Sequence, residues 1–161
     1  MKKIISGIAM LFLFQTIVMA QRVKVKVMDV PQQVKQSFTT QFPEGRLKKW
    51  ESCKEGYIAR FRQDGKLYFA YYSADGGWQG TERPVKWTRH LPKKVQEAWK
   101  GSGYVQWYVH EIRRINTPEK QLFVMHVTNS PLLNADNHDA FREDHVLYFT
   151  PEGKLVEKGR I

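Results

Sequence analysis

Leu67 to Glu82 reads LYFAYYSADGGWQGTE: an aromatic run, a turn built on Asp75-Gly76-Gly77, and Trp78 opening a second run. Asp-Gly is a strong hairpin signal, because the central residues of the tight turn must tolerate positive φ. The stretch has an echo near the end of the chain, where Val146 to Gly159 reads VLYFTPEGKLVEKG. Tyr71-Tyr72-Ser73-Ala74-Asp75-Gly76 aligns there with Tyr148-Phe149-Thr150-Pro151-Glu152-Gly153 at a constant offset of 77. A hairpin that occurs twice points to a duplicated unit.

The start of each unit repeats as well. Val30-Pro31-Gln32-Gln33-Val34 is matched by Leu91-Pro92-Lys93-Lys94-Val95, and Phe38 by Trp99, at an offset of 61. In the first copy Asp29 offers a helix cap and Pro31 sits in the first turn, where its missing N–H costs nothing. Val34, Phe38 and Phe42 follow at helical spacing until Pro43 stops the helix. The apolar period then drops to two. Strands are expected at Leu47–Ser52, Tyr57–Arg62, Leu67–Tyr72 and Trp78–Arg83, and in the second copy at Val105–Ile115, Gln121–Thr128, Val146–Phe149 and Leu155–Gly159. The offset grows from 61 to 77 because Asn129 to His145 is inserted. Ahead of both units Arg22 to Val27 alternates valine with a basic residue, the pattern of a short charged strand at a sheet edge.

These periods define an α+β domain: a tandem repeat of a helix plus four antiparallel strands, about residues 30–85 and 91–161, forming one large antiparallel sheet with both helices on one face. The opposite face is then left for solvent or for binding. No linker divides residues 21–161, so a single domain is expected.

Residues 1–20 read as a secretory signal peptide. Lys2 and Lys3 are basic, Ile4 to Phe14 apolar, and Val18-Met19-Ala20 fits a cleavage site, with cleavage expected near Ala20-Gln21. The apolar run is shorter than the roughly 20 residues a membrane span requires, so no span is expected in the mature chain. Export places the protein in the periplasm or outside the cell. The formal charge of +10 favours anionic partners. Nucleic acid is a poor fit, because the positive residues are spread along the chain and an exported protein rarely meets it. Cys53 is the one cysteine, so no intramolecular disulfide can form and packing must supply the stability.

No catalytic constellation emerges, and the expectation is a non-enzyme with no cofactor. His110-Glu111 begins a metalloprotease pattern, but Arg114 stands where the second histidine belongs. Phosphate-loop, dinucleotide and nucleophile-elbow motifs are missing from the sequence. The insertion gathers Asn134, Asp136, His138, Asp139, Glu143, Asp144 and His145, yet their spacing matches neither a calcium loop nor a zinc site, and no metal is expected. Aromatic residues are more informative. They crowd into strands whose alternation sends them to both faces, and those on the uncovered face would lie beside Arg60 and Arg62. Tyr, Trp and Arg dominate protein interfaces, which makes Arg60, Arg62, Tyr68, Tyr72, Trp78, Trp107 and Tyr108 the candidate binding residues.

The Val-Pro and Leu-Pro helix openings, Trp50, Tyr57-Ile58-Ala59-Arg60-Phe61 and the two hairpins together resemble the PepSY-like domains of exported Gram-negative bacterial proteins. That group is similar in fold to the β-lactamase-inhibitor protein, a tandem repeat whose concave sheet face grips its enzyme. The resemblance covers about Val30 to Ile161. It implies a non-enzymatic module that binds an unknown protein, peptide or anionic ligand through its open face. The alternative it implies is an inhibitor of a periplasmic or secreted hydrolase of the protease or β-lactamase class. The inhibitor protein carries disulfides and this chain has one cysteine; the insertion has no counterpart there.

Overall fold

The computed structural model describes residues 23–130 and 143–160. The signal peptide read at residues 1–20, and Asn134, Asp136, His138 and Asp139 of the insertion, lie outside the described residues. Among the described residues the chain forms nine strands and two α-helices. The order is β1 (Val23–Val25), α1 (Gln32–Gln41), β2 (Arg46–Cys53), β3 (Gly56–Gln63), β4 (Lys66–Tyr72), β5 (Trp78–Pro84), α2 (Lys93–Lys100), β6 (Tyr108–Asn116), β7 (Gln121–Thr128), β8 (Asp144–Phe149) and β9 (Leu155–Arg160). The strands pair antiparallel in sequence order, so one open sheet runs from β1 to β9. The expected α+β architecture is the one observed, with β1 as an added edge strand.

Each helix seals its own core against its half of the sheet. Val34 and Phe38 of α1 pack with Trp50, Ala59, Phe61, Ala70 and Tyr72; Val95 and Trp99 of α2 pack with Ile112, Phe123, Met125, Val127, Leu147 and Phe149. The i, i+4 spacing of each pair puts both side chains on one helical face. The aromatic residues of the first core meet edge-to-face, Phe38 with Trp50 at 5.7 Å and with Phe61 at 5.2 Å between centroids, a favoured geometry for rings.

The duplicated hairpins serve one purpose in both halves. The Ser73 amide donates to the Gly77 carbonyl at 2.9 Å and the Gly76 amide to the Ser73 carbonyl at 3.0 Å; Thr150, Lys154 and Gly153 repeat the pattern at 2.9 Å each. Gly76 (φ 91°) lies against the backbone of Gln33, and Gly153 (φ 86°) against that of Lys94. Gln33 and Lys94 are themselves equivalent in the repeat, so each hairpin tip docks on the first turn of its helix. Glycine is required there twice over, for positive φ and for lack of a Cβ. Ser73 and Thr150 hydroxyls hold the Asp75 and Glu152 carboxyls below their usual values.

Three local expectations differ. Val27–Asp29 is a 3₁₀ turn, so Val27 leaves the edge strand and Asp29 does not cap α1, whose N-cap is Pro31 without a side-chain hydrogen bond. Phe42 follows the last turn of α1 and still packs on the core. The strand expected from Val105 begins at Tyr108, because the chain turns first, with the Trp107 amide donating to the Tyr104 carbonyl at 2.8 Å.

Candidate functional site

Cross-strand register separates the two faces of the sheet. In β2–β3, Leu47 opposes Phe61 and Trp50 opposes Ala59 beneath α1, while Arg46 opposes Arg62 and Lys49 opposes Arg60 on the other side. In β6–β7, Val109 opposes Val127 and Ile112 opposes Met125 beneath α2, while Tyr108 opposes Thr128 and Glu111 opposes His126 on the far side. A bulge interrupts each pair at the same place, between Leu47 and Lys49 and between Val109 and Glu111. The bulges fix the equivalence of the two halves residue by residue. At these four helix-facing positions both copies are apolar. On the open face they diverge: Arg46, Lys49, Arg60 and Arg62 correspond to Tyr108, Glu111, His126 and Thr128.

The candidate binding residues divide accordingly. Arg60, Arg62 and Tyr108 lie on the open face, and Tyr108 is 51% exposed. Tyr68, Tyr72 and Trp78 lie on the α1 side: Tyr72 is fully buried in the core, and Tyr68 and Trp78 pack against it. Trp107 packs on the second core and meets Tyr104 at 4.9 Å and His145 at 5.1 Å between centroids. These four aromatics therefore work as core, and burial pushes the Tyr72 hydroxyl well above its usual pKa.

The cationic corner is built by the backbone. On the open face Lys48, Lys49, Arg60 and Arg62 line a depression of about 430 Å³ together with Leu67. Lys48, the bulge residue, and Arg62 also line an adjoining hollow of about 800 Å³, where Arg46 joins them and Glu44 and Asp64 supply negative charge. Lys49 is paired with Glu51. Among the described residues no carboxylate pairs with Arg46, Lys48, Arg60 or Arg62. The Arg60 guanidinium lies over the ring of Phe69, its cross-strand neighbour, at 5.6 Å, a cation–π contact.

A second charged group sits mid-face and was not anticipated from the sequence. Arg113 is buried, with Nη1 at 3.5 Å from both Glu82 carboxylate oxygens, Nε at 3.3 Å from Glu111 and Nη2 at 2.9 Å from His126 Nε2. Burial, and then the charge of Arg113, holds His126 below the usual imidazole value, so the ring accepts the guanidinium hydrogen bond as a neutral base. The i, i+2 spacing of Glu111 and Arg113 was visible; their partners on β5 and β7 required the register. Ile58, Tyr71 and Val124 are buried on this side too, so the middle of the face is packed and its ends carry the accessible charge and aromatic surface. Among the described residues no group of three or more metal-binding side chains occurs, and no helix is long and apolar enough to cross a membrane.

An antiparallel sheet of two matched repeats, helices on one side and a divergent charged face on the other, is the class of architecture this chain defines. No family model and no curated protein matches the chain. Solved structures do. A BLIP-like protein (β-lactamase-inhibitor-protein-like) from Bacteroides fragilis NCTC 9343 is similar with a TM-score of 0.69 and 22% identity, over 81% of this chain and 86% of that one. A DUF2874 family protein from Bacteroides ovatus ATCC 8483 gives 0.68 and 22% over the same shares. A candidate periplasmic protein from Bacteroides eggerthii DSM 20697 gives 0.67 and 18%, over 82% and 89%. At these identities the likeness shows a BLIP-like fold.

Proposed function

We propose that this is an exported, non-catalytic binding protein that engages a partner through the sheet face opposite its helices. The observation that carries the reading is the exposure of Arg62 and Tyr108 on that one face, with half-buried Arg60 beside Arg62. Exposed arginine and tyrosine give large contact area with specific hydrogen bonds, the chemistry of interface anchors. The signal sequence read at residues 1–20 and the likeness to a candidate periplasmic protein support export. The motifs shared with PepSY-like domains support a module without an active site.

A second reading, inhibition of a periplasmic or secreted hydrolase, is favoured by the likeness to a BLIP-like protein. One experiment addresses both. The tagged chain is used to capture proteins from periplasmic and culture fractions, beside a Tyr108→Ala variant and a helix-face control, Gln36→Ala. Capture lost with Tyr108→Ala and kept with Gln36→Ala supports the open face; capture indifferent to Tyr108 contradicts it. A captured hydrolase that loses activity supports the second reading.

A further inference from the structure

We infer that the β2–β3 corner of the open face binds an extended acidic segment of the partner, with carboxylates at alternate positions. The inference rests on the open-face reading above and adds the chemistry of what lands there. Its starting point is a cost. Arg46 directly opposes Arg62 and Lys49 directly opposes Arg60, and like charges facing each other across a strand pair are destabilising. The scaffold does not demand this, because the second repeat fills the equivalent positions with Tyr108–Thr128 and Glu111–His126. Among the described residues only Lys49 of the first set has an acidic partner, Glu51. Two successive rows of facing cations with a single carboxylate partner between them suit an anion.

The spacing selects the kind of anion. Arg60 and Arg62 are two residues apart on one strand, so the rows lie about 6.8 Å apart along the face. An extended peptide repeats its side chains at that same interval on one side. Acidic residues at alternate positions would therefore meet one row each, with arginine forks available for bidentate contacts. Among the described residues the smaller depression is lined by Lys48, Lys49, Arg60, Arg62 and Leu67, none of which would repel them. Glu44 and Asp64 border the outer hollow and set the limit of the anionic stretch on that side. A compact phosphate would engage one row and leave the other uncompensated.

The test uses the full chain and two capped, fluorescein-labelled peptides of one composition, one with glutamate at alternate positions and one with the glutamates consecutive. Anisotropy is expected to show the alternating peptide binding about tenfold or more tightly than its isomer, a difference of about 1.4 kcal/mol. Arg60→Glu with Arg62→Glu should weaken it at least tenfold, while the charge-matched Lys93→Glu with Lys94→Glu on α2 should leave it unchanged. Circular dichroism confirms folding, and the milder Arg62→Gln should give a partial loss. Equal affinity for both peptides, or equal loss in both double variants, overturns the inference in favour of diffuse attraction. Pyrophosphate binding more tightly than the alternating peptide overturns it in favour of a phosphate site. Partner capture lost with Tyr108→Ala, without peptide binding, leaves the open-face reading standing and sinks this one. Peptide binding with capture indifferent to Tyr108→Ala does the reverse.

Discussion

Gly153 shows at a single residue how tightly the fold is specified. Its φ of 86° and the Lys94 carbonyl against its Cα leave no room for a side chain, whereas Gly65, at φ 71°, has open space around it. Both Gly153→Ala and Gly65→Ala incur left-handed strain, about 1–2 kcal/mol, but Gly153→Ala must also push the hairpin off α2. Urea denaturation should therefore show the Gly153 variant less stable than the Gly65 variant by at least about 1 kcal/mol; equal losses would mean the docking contact contributes nothing. His126 makes a second prediction at this scale. Because its folded pKa is depressed, the unfolded chain binds the proton more readily. Its contribution to stability is present above about pH 6.5 and is lost as pH falls below that value. An NMR titration should place His126 below the ordinary imidazole value, and His126→Gln should flatten this part of the stability profile.

Pairs of strands carry the energetics of the open face. Arg62→Glu converts the Arg46–Arg62 opposition into an attractive pair, so it should stabilise the protein by about 0.2–1 kcal/mol while weakening acidic-peptide binding. Thermal unfolding of that variant checks the sign. The Arg113 group behaves oppositely, because Arg113 and Glu82 are buried and of opposite charge, with Glu111 half-exposed beside them. Arg113→Met should cost about 3 kcal/mol by stranding buried carboxylate, and Glu82→Gln in the same chain should recover part of the loss. Strand existence and the duplicated hairpins were legible in the sequence because turn glycines and apolar periods act locally. Which face each aromatic takes was not. Both parities of Leu67 to Tyr72 are aromatic, so alternation alone cannot tell Phe69 on the open face from Tyr68 and Tyr72 beneath α1. The bulges at Lys48 and His110 then shift parity within β2 and β6 without any marked signal in composition. Arg60 and Arg62 could be placed together because β3 has no bulge between them.

For the molecule as a whole, duplication separates scaffold from surface. The two halves agree where helix meets sheet and where hairpin meets helix, and they part company on the opposite face. That asymmetry gives one protein two patches of different chemistry on one face, a cationic corner at β2–β3 and Tyr108 at β6, besides the Glu82–Arg113–His126 group. On the proposed function, partners land on this face. Hydroxyl-radical footprinting of the complex with a captured partner tests it most directly, since it reads side-chain exposure residue by residue. Tyr108, Leu67 and Arg62 are expected to lose reactivity on binding while Pro92 and Lys93 of the α2 side keep theirs. Protection at Pro92 and Lys93 with Tyr108 and Leu67 unchanged would contradict it.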